Sequence, residues 1–564
     1  MSVTSLGMDR RDFLERAAAL GAVGWIAPVA FVGRVGAPDV VFRGALVVDG
    51  TGAEGREADV AVTGGRITAV GRIPEVGSEE VDVRGLVLAP GFIDIHSHAD
   101  LNLLVEPRAE SRIRQGVTLE VVGQDGSSIL WSPGAARSRA ERFRNQHGVE
   151  IDFADLGGFL DYLDRNPVAV NVASMVGHGT IRGFVVGSGD RPATERELDQ
   201  MRALVRNALA QGAVGLSSGL EYTPGGFAPR EELVALAAEL QGTGYPYSSH
   251  MRNEDDALLS AVEEVLHVGR MAGVPVQVSH LKAQGRRNYW KAEVALAMIE
   301  AARADGIDVH FDRYPYVAYA TGLSNLFPAW SRDGGSAALL RRLDDPQEAR
   351  RIETFARGKV ALLGSWDSVQ ITSTGETTAW ARGRRMGELA EERGLDPYAL
   401  ALELMRANGG SVGMIGFGMS EENTERFLAH PLGMVCSDGG AYAPYGPLGQ
   451  GSPHPRGYGT FPRLLGHYVR ERRALSLESA VHKVTGMPAG KLRLSDRGVV
   501  REGAVADLVA FDPDTVSDRA TFQSPHQYPQ GIVHVMVNGG ITIRDGEQTG
   551  SLYGRSVRGT GYRG

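Results

Sequence analysis

The sequence predicts an α/β fold: a TIM-type (β/α)8 barrel, a small β-sandwich built from both chain ends, and an insertion between the last two barrel strands. Three observations lead there. Through the middle of the chain, strand-like runs alternate with helical stretches, the pattern of a parallel sheet. There are about eight such runs, the number that closes a barrel. The two ends of the chain share another texture, short β-rich runs broken by glycine turns.

The first end contains Val40-Val41-Phe42-Arg43, Ala45-Leu46-Val47-Val48 and Asp59-Val60-Ala61-Val62, separated by turns such as Asp49-Gly50-Thr51-Gly52. Residues 503–512 and 532–539 read the same way at the far end. Residues 39–88 and 497–548 are therefore expected to form the sandwich, with residues 89–496 as the barrel. The predicted barrel strands end at Ile93-Asp94-Ile95-His96, Leu119-Glu120-Val121-Val122, Val172-Ala173-Ser174-Met175-Val176, Gly215-Leu216-Ser217-Ser218, Tyr247-Ser248-Ser249-His250, Val276-Gln277-Val278-Ser279-His280, Val309-His310-Phe311-Asp312 and Met434-Val435-Cys436-Ser437-Asp438. The long gap before the last of these predicts an inserted subdomain at about residues 330–408. The Gly/Arg-rich residues 549–564 are expected to be a loose tail.

Composition narrows the function classes. The chain has 564 residues, 43% hydrophobic and 23% charged, which is ordinary globular composition. A net charge of -9 without a long Lys/Arg run argues against a nucleic-acid partner. The single cysteine, Cys436, excludes an internal disulfide and says nothing about redox compartment. Residues 1–38 carry their own signal. Asp9-Arg10-Arg11-Asp12-Phe13-Leu14 precedes an apolar stretch rich in Ala and Gly, which resembles a twin-arginine export signal. It predicts a periplasmic or extracellular protein; the other reading is an ordinary N-terminal helix on a cytoplasmic one. The stretch is short and interrupted by glycine, so no stable membrane span is expected.

The chemistry is concentrated at strand ends. His96, His98, Asp125, His178, His250, His280 and Asp438 all fall at the C-terminal ends of predicted strands. That rim is where barrel active sites are built. In His96-Ser97-His98 the period of two lets both rings face the barrel mouth. A lone strand histidine is usually a satisfied core residue, but several in one register are not. Imidazole with carboxylate suits zinc or a similar divalent ion.

The motifs at these positions resemble the amidohydrolase superfamily, and within it the N-acyl-D-amino-acid deacylases (D-aminoacylases). They are Pro90-Gly91-Phe92-Ile93-Asp94-Ile95-His96-Ser97-His98, Gly177-His178-Gly179-Thr180, Ser249-His250-Met251-Arg252, Ser279-His280-Leu281-Lys282, Tyr314-Pro315-Tyr316, Ser437-Asp438-Gly439 and His454-Pro455-Arg456-Gly457-Tyr458-Gly459-Thr460-Phe461-Pro462-Arg463. The last run is the most specific to the deacylase branch. The resemblance implies roles. His96 and His98 match a first metal pair, and His250 and His280 match the ligands of a tight zinc site. Asp438 matches the aspartate that activates water. Arg456, Lys282 and Tyr314 match positions near the substrate carboxylate, and Tyr222 matches a tyrosine lining the site. For His178 the residues themselves leave substrate binding, support of the ligands from behind and direct metal ligation as alternatives, with substrate binding taken as the assignment.

Three features depart from, or qualify, that pattern. Asp125 stands where the family usually has a metal-binding Cys. A carboxylate can bridge two ions, and its hardness opens manganese or cobalt as alternatives to zinc, with one or two ions. Ala320 replaces a frequent small hydroxyl residue, with Thr321 beside it. Ser217 and Ser218 occupy the fourth strand end, which argues against a carboxylated-lysine bridge.

The implied reaction is metal-dependent hydrolysis of an N-acyl-D-amino acid. The ion polarises the carbonyl and acidifies water. Asp438 accepts the water proton and passes it to the leaving amine, and the two glycines after it are expected to let the backbone turn sharply. Arg456 anchors the substrate carboxylate. The competing readings are another amidohydrolase reaction, such as cyclic amide or dipeptide hydrolysis, and a binding protein on the same fold. The intact Asp438 favours a catalyst. Oligomeric state is not legible in the sequence.

Overall fold

The computed structural model describes residues 37–563. The arginine pair and the apolar stretch of the export reading lie outside the described residues. Among the described residues no helix is long and apolar enough to cross a membrane.

Eight parallel strands surround the core. They are β1 (Phe92–Asp94), β2 (Val117–Val122), β3 (Asn171–Ser174, resuming as Val176–Gly177), β4 (Leu216–Gly219), β5 (Tyr247–His250), β6 (Val276–Val278), β7 (Val309–Arg313) and β8 (Gly433–Val435). Each pairs in parallel with the next along two runs, β1 to β3 and the resumed half of β3 through to β8. The ring closes just beyond the last strand: Asp438 N donates to His96 O at 2.8 Å, and His98 N donates to Gly439 O at 2.9 Å. The strands are buried on both faces because helices cover the outside, so they read as near-continuous apolar runs. The helix Glu195–Ala210 shows how the cover forms. A reciprocal Thr194–Glu197 capping box starts it, and Met201, Val205, Ala208 and Leu209 form its buried stripe.

The chain ends meet in one nine-stranded sheet, where Val87–Pro90 joins Val40–Val47 on one side and Leu508–Phe511 on the other. Period-two alternation divides the last strand. Leu508 and Ala510 enter an apolar cluster drawn from both chain ends, whereas Val509 and Phe511 pack on the barrel core.

Two expectations need correction. The insertion is wider than residues 330–408, because its three-stranded antiparallel sheet uses Ala318–Gly322 and Gly413–Phe417 on either side of those bounds, with Val369–Ser373 between. The tail is not loose. Its backbone pairs with the start of β3 (Val172 N to Arg555 O, 3.0 Å; Val557 N to Val172 O, 2.8 Å), and Arg558 reaches Asp161 at 2.6 Å and Asp164 at 3.2 Å. The arginines that suggested solvation are what dock it.

Candidate metal centre

The predicted ligands converge at the C-terminal mouth of the barrel. Asp125 Oδ1 lies 3.3 Å from His96 Nε2, while Oδ2 lies 3.4 Å from His98 Nε2, 3.3 Å from His250 Nδ1 and 3.5 Å from His280 Nε2. The carboxylate therefore sits among all four imidazoles. His250 Nδ1 and His280 Nε2 are 2.9 Å apart, and Asp438 Oδ1 is 3.1 Å from His98 Nε2 and 3.7 Å from His96 Nε2. One atom from each of His96, Asp125, His280 and Asp438 lies within 4.8 Å of every other.

The backbone presents these groups at a cost. Asp125, His280 and Asp438 all hold positive φ, at 52°, 35° and 49°. Such conformations cost about 1–3 kcal/mol each and persist where the surroundings fix them. Ser217 fixes the first: its hydroxyl donates to Gly123 O at 2.6 Å and accepts from Gly126 N at 3.1 Å. A Cβ on Gly126 would meet Gly219 N at 2.8 Å, so the loop closes tightly only with glycine there. Asp312 steadies the second, accepting from His280 N at 2.7 Å and facing His96 Nδ1 at 3.4 Å. The third corrects an expectation. The left-handed turn falls on Asp438 itself, and the following Gly439 instead permits close approach of Gly457, whose Cα a Cβ would meet at 3.1 Å. That contact seats the helix Arg456–Arg463 and brings Arg456 Nη1 to 2.6 Å from Asp438 Oδ2.

Charge at the site follows from these neighbours. Burial pushes the Asp125 carboxyl up, but His96, His250 and His280 outweigh it and hold it well below the usual carboxylate range. Burial likewise opposes ionisation of Asp438 and is outweighed by Arg456 and His280, so its pKa is lowered. For His98, burial opposes the charge but Asp125 and Asp438 raise its pKa to about 9. For His250, burial is outweighed by Glu254 and Asp125, and the pKa rises to about 10.

The donor set fits a divalent cation. His96 Nε2 and Asp125 Oδ1 are buried and have no hydrogen-bond partner among the described residues. Orphaned buried donors of this kind point to an ion, and the mixed imidazole and carboxylate chemistry suits zinc. His280 Nδ1 lies 3.1 Å from Glu254 Oε1, the carboxylate–histidine pairing that orients metal-bound imidazoles.

A cavity of about 450 Å3 opens over the cluster and is lined by Tyr222, Lys282, Tyr314 and Arg456. Tyr314 keeps a buried hydroxyl without a partner, beneath the Arg456 guanidinium at 4.8 Å from the ring centroid. The Tyr222 ring lies 4.6 Å from that of His250. Ala320 and Thr321 line the same cavity, and Thr321 Oγ1 meets the Tyr222 hydroxyl at 3.4 Å. Lys282 Nζ donates to Glu254 Oε1 at 2.6 Å, so it steadies the carboxylate that faces His280.

His178 is the site residue that the structure places elsewhere. It begins the helix His178–Val185, does not line the cavity, and its Nε2 meets Glu232 Oε1 at 2.8 Å in a buried cluster with Arg182. Its neighbours Gly179 and Thr180 take the wall instead. Sequence reasoning missed Glu221, Glu254 and Asp312, which touch His250, His280 and His96 respectively. Glu221 adjoins Tyr222 and Asp312 ends a predicted strand, so position gave a signal for both. Carboxylates are common enough on surfaces to hide it.

This barrel and its metal-binding mouth belong to the amidohydrolase family, whose model matches residues 79–543. Among relatives, the chain is 38% identical to a D-aminoacylase of Alcaligenes xylosoxydans xylosoxydans, over 92% of this chain and 97% of the relative. It is 37% identical to an N-acyl-D-glutamate deacylase of the same organism, over 89% and 93%. A D-aminoacylase crystal structure, 38% identical, superposes with a TM-score of 0.77 and covers 92% of this chain and 100% of that one. An N-acyl-D-glutamate deacylase from Bordetella bronchiseptica, complexed with zinc and a phosphonate mimic of the tetrahedral intermediate, is 34% identical, with a TM-score of 0.78 and coverage of 93% and 100%.

Proposed function

We propose that this chain hydrolyses the amide bond of N-acyl-D-amino acids, releasing a carboxylic acid and a D-amino acid. The observation that carries the reading is Arg456, a buried guanidinium beside both Asp438 and the metal-ligand cluster in one cavity. A carboxylate anchor at that distance from a proton acceptor suits an amino-acid amide better than a neutral cyclic one. Similarity to the D-aminoacylase and N-acyl-D-glutamate deacylase supports the same choice.

His96, His98, Asp125, His250 and His280 would hold the divalent ion, zinc in the first place. Bound there, such an ion polarises a carbonyl and acidifies water. Asp438, ionised at neutral pH, takes the proton of the attacking water and delivers it to the leaving nitrogen. Arg456 holds the substrate carboxylate by its planar fork and so fixes which face of the amide meets the water. The free Tyr314 hydroxyl donates to an oxygen of the same substrate, and Tyr222 closes the wall by His250. One screen tests this: paired N-acetyl-D- and N-acetyl-L-amino acids, with metal content measured on the same sample. Hydrolysis confined to the D series and abolished by chelation is expected. Preference for L substrates, cyclic amides or dipeptides would overturn the reading.

Export through the twin-arginine route is a further part of the proposal and rests on Arg10-Arg11 with the apolar stretch after them. Replacing both arginines with lysine should leave the protein in the cytoplasm, and unchanged export would refute it.

A further inference from the structure

A second cavity, of about 700 Å3, adjoins the one over the metal ligands. Three side chains, Glu221, Asn325 and Lys359, line both cavities and so form the partition between them. Glu221 follows β4, whereas Asn325 and Lys359 come from the insertion, Lys359 from its helix Pro346–Leu363. Arg332 braces the partition, donating to Asn325 Oδ1 at 2.6 Å and to the Glu221 carbonyl at 3.0 Å.

The weakest link in this wall is the ion pair across it. Lys359 Nζ is 3.4 Å from Glu221 Oε1 but only 2.6 Å from Asp255 Oδ2. Glu221 also faces His250 Nε2, at 3.3 Å. Each partner therefore keeps another charged or polar neighbour if the two separate. Beyond it Leu220, Phe327, Ala329, Phe355, Ala361 and Leu362 supply an apolar wall, interrupted by the polar side chains of Asn253, Asp255, Asp256 and Thr354. Phe355 is 46% exposed, a large ring with unburied surface on that wall. The arginines there are already occupied, Arg252 by Glu264 at 2.9 Å and Arg287 by Asp256 at 2.9 Å.

We propose that this second cavity is the subsite for a medium- or long-chain fatty acyl group on the substrate, entered past the Glu221–Lys359 pair. The inference rests on the deacylase reading. The two halves of an amide leave the scissile carbon in opposite directions. With the amino half held at Arg456, beside Asp438, the acyl half points away from it, toward the side of His250 that Glu221 occupies. The apolar side chains met there suit a hydrocarbon chain.

The test is kcat/KM for the N-acetyl, N-hexanoyl and N-decanoyl forms of one D-amino acid, in wild type and two variants. Burial of a chain favours binding by roughly fourfold per methylene, so the wild-type decanoyl-to-acetyl ratio should exceed about tenfold. Gly358 lies in the insertion helix and lines the second cavity, and a Cβ there meets nothing within 4 Å. Gly358→Phe should therefore fill the subsite without strain and lower the ratio about tenfold or more, with Gly358→Leu as the milder form. Lys359→Met should raise it. A ratio that Gly358→Phe and Gly358→Leu both leave within about twofold of wild type, or no wild-type preference for decanoyl, overturns the subsite. Turnover of the acetyl compound separates the two claims: if it persists while the ratio stays flat, only the subsite falls, and if no N-acyl-D-amino acid is hydrolysed, the deacylase reading falls and takes the subsite with it.

Discussion

At the scale of the residue, the site is a balance between burial and mutual charge. Four imidazoles and two carboxylates share one small volume, and without an ion the neighbouring carboxylates favour the charged forms of His96, His98 and His250. Neighbouring carboxylates push the pKa of His98 up to about 9 and that of His250 up to about 10. Ion binding requires both rings neutral, so protons compete with the metal below those values and affinity rises as pH climbs toward them. Calorimetric titration of the ion-free protein with zinc, at pH 7.5 in two buffers of different ionisation enthalpy, should give heats that differ, reporting net proton release. Equal heats would mean the imidazoles were already neutral. The four histidines and Asp438 were legible because each lies at, or within four residues beyond, the C-terminal end of a barrel strand. The roles of Lys282 and His178 were not, because a contact such as His178 to Glu232 joins residues 54 apart and leaves no local pattern.

At the scale of the element, the barrel depends on a buried ionic cluster beneath the ligands. Arg112, fully buried, donates to Glu120 Oε1 on β2 at 2.6 Å and contacts Asp94 on β1 and the Ser437 hydroxyl at 2.8 Å. It ties the first two strands to the segment that carries Asp438. Removing one partner of such a cluster leaves buried charge uncompensated, at a cost of about 3–5 kcal/mol. Arg112→Leu should accordingly lower the thermal midpoint by several degrees, measured by differential scanning fluorimetry, and an unchanged midpoint would contradict the account. The eight strand ends could be read from the sequence because hydrophobic runs stop there at polar or glycine residues. The first and last strands of the insertion in chain order could not. Ala318–Gly322 and Gly413–Phe417 both contain glycine and lack clear alternation of buried and exposed residues.

At the scale of the whole molecule, function sits at one end of the barrel and the tail binds the other. Residues 554–559 contact the chain at Val168, Val172 and Gly212, near the N-terminal ends of β3 and β4. Deleting residues 550–564 should lower thermal stability while leaving kcat within about twofold, compared by thermal melts and turnover on the same preparation. A selective loss of turnover would place the tail in the catalytic machinery. The terminal sheet was legible from its texture at both ends, but the docking of the tail needed tertiary contacts such as Arg558 with Asp161 and Asp164. The central claim is that these parts together present Asp438 as the proton carrier of a metal-dependent deacylase, and Asp438→Asn tests it most directly. Asparagine keeps the shape but cannot take the proton. With turnover of an N-acetyl-D-amino acid and bound metal measured on one purified sample, kcat should fall on the order of 10³-fold while most of the metal is retained. Near-normal turnover at full metal content would contradict the account.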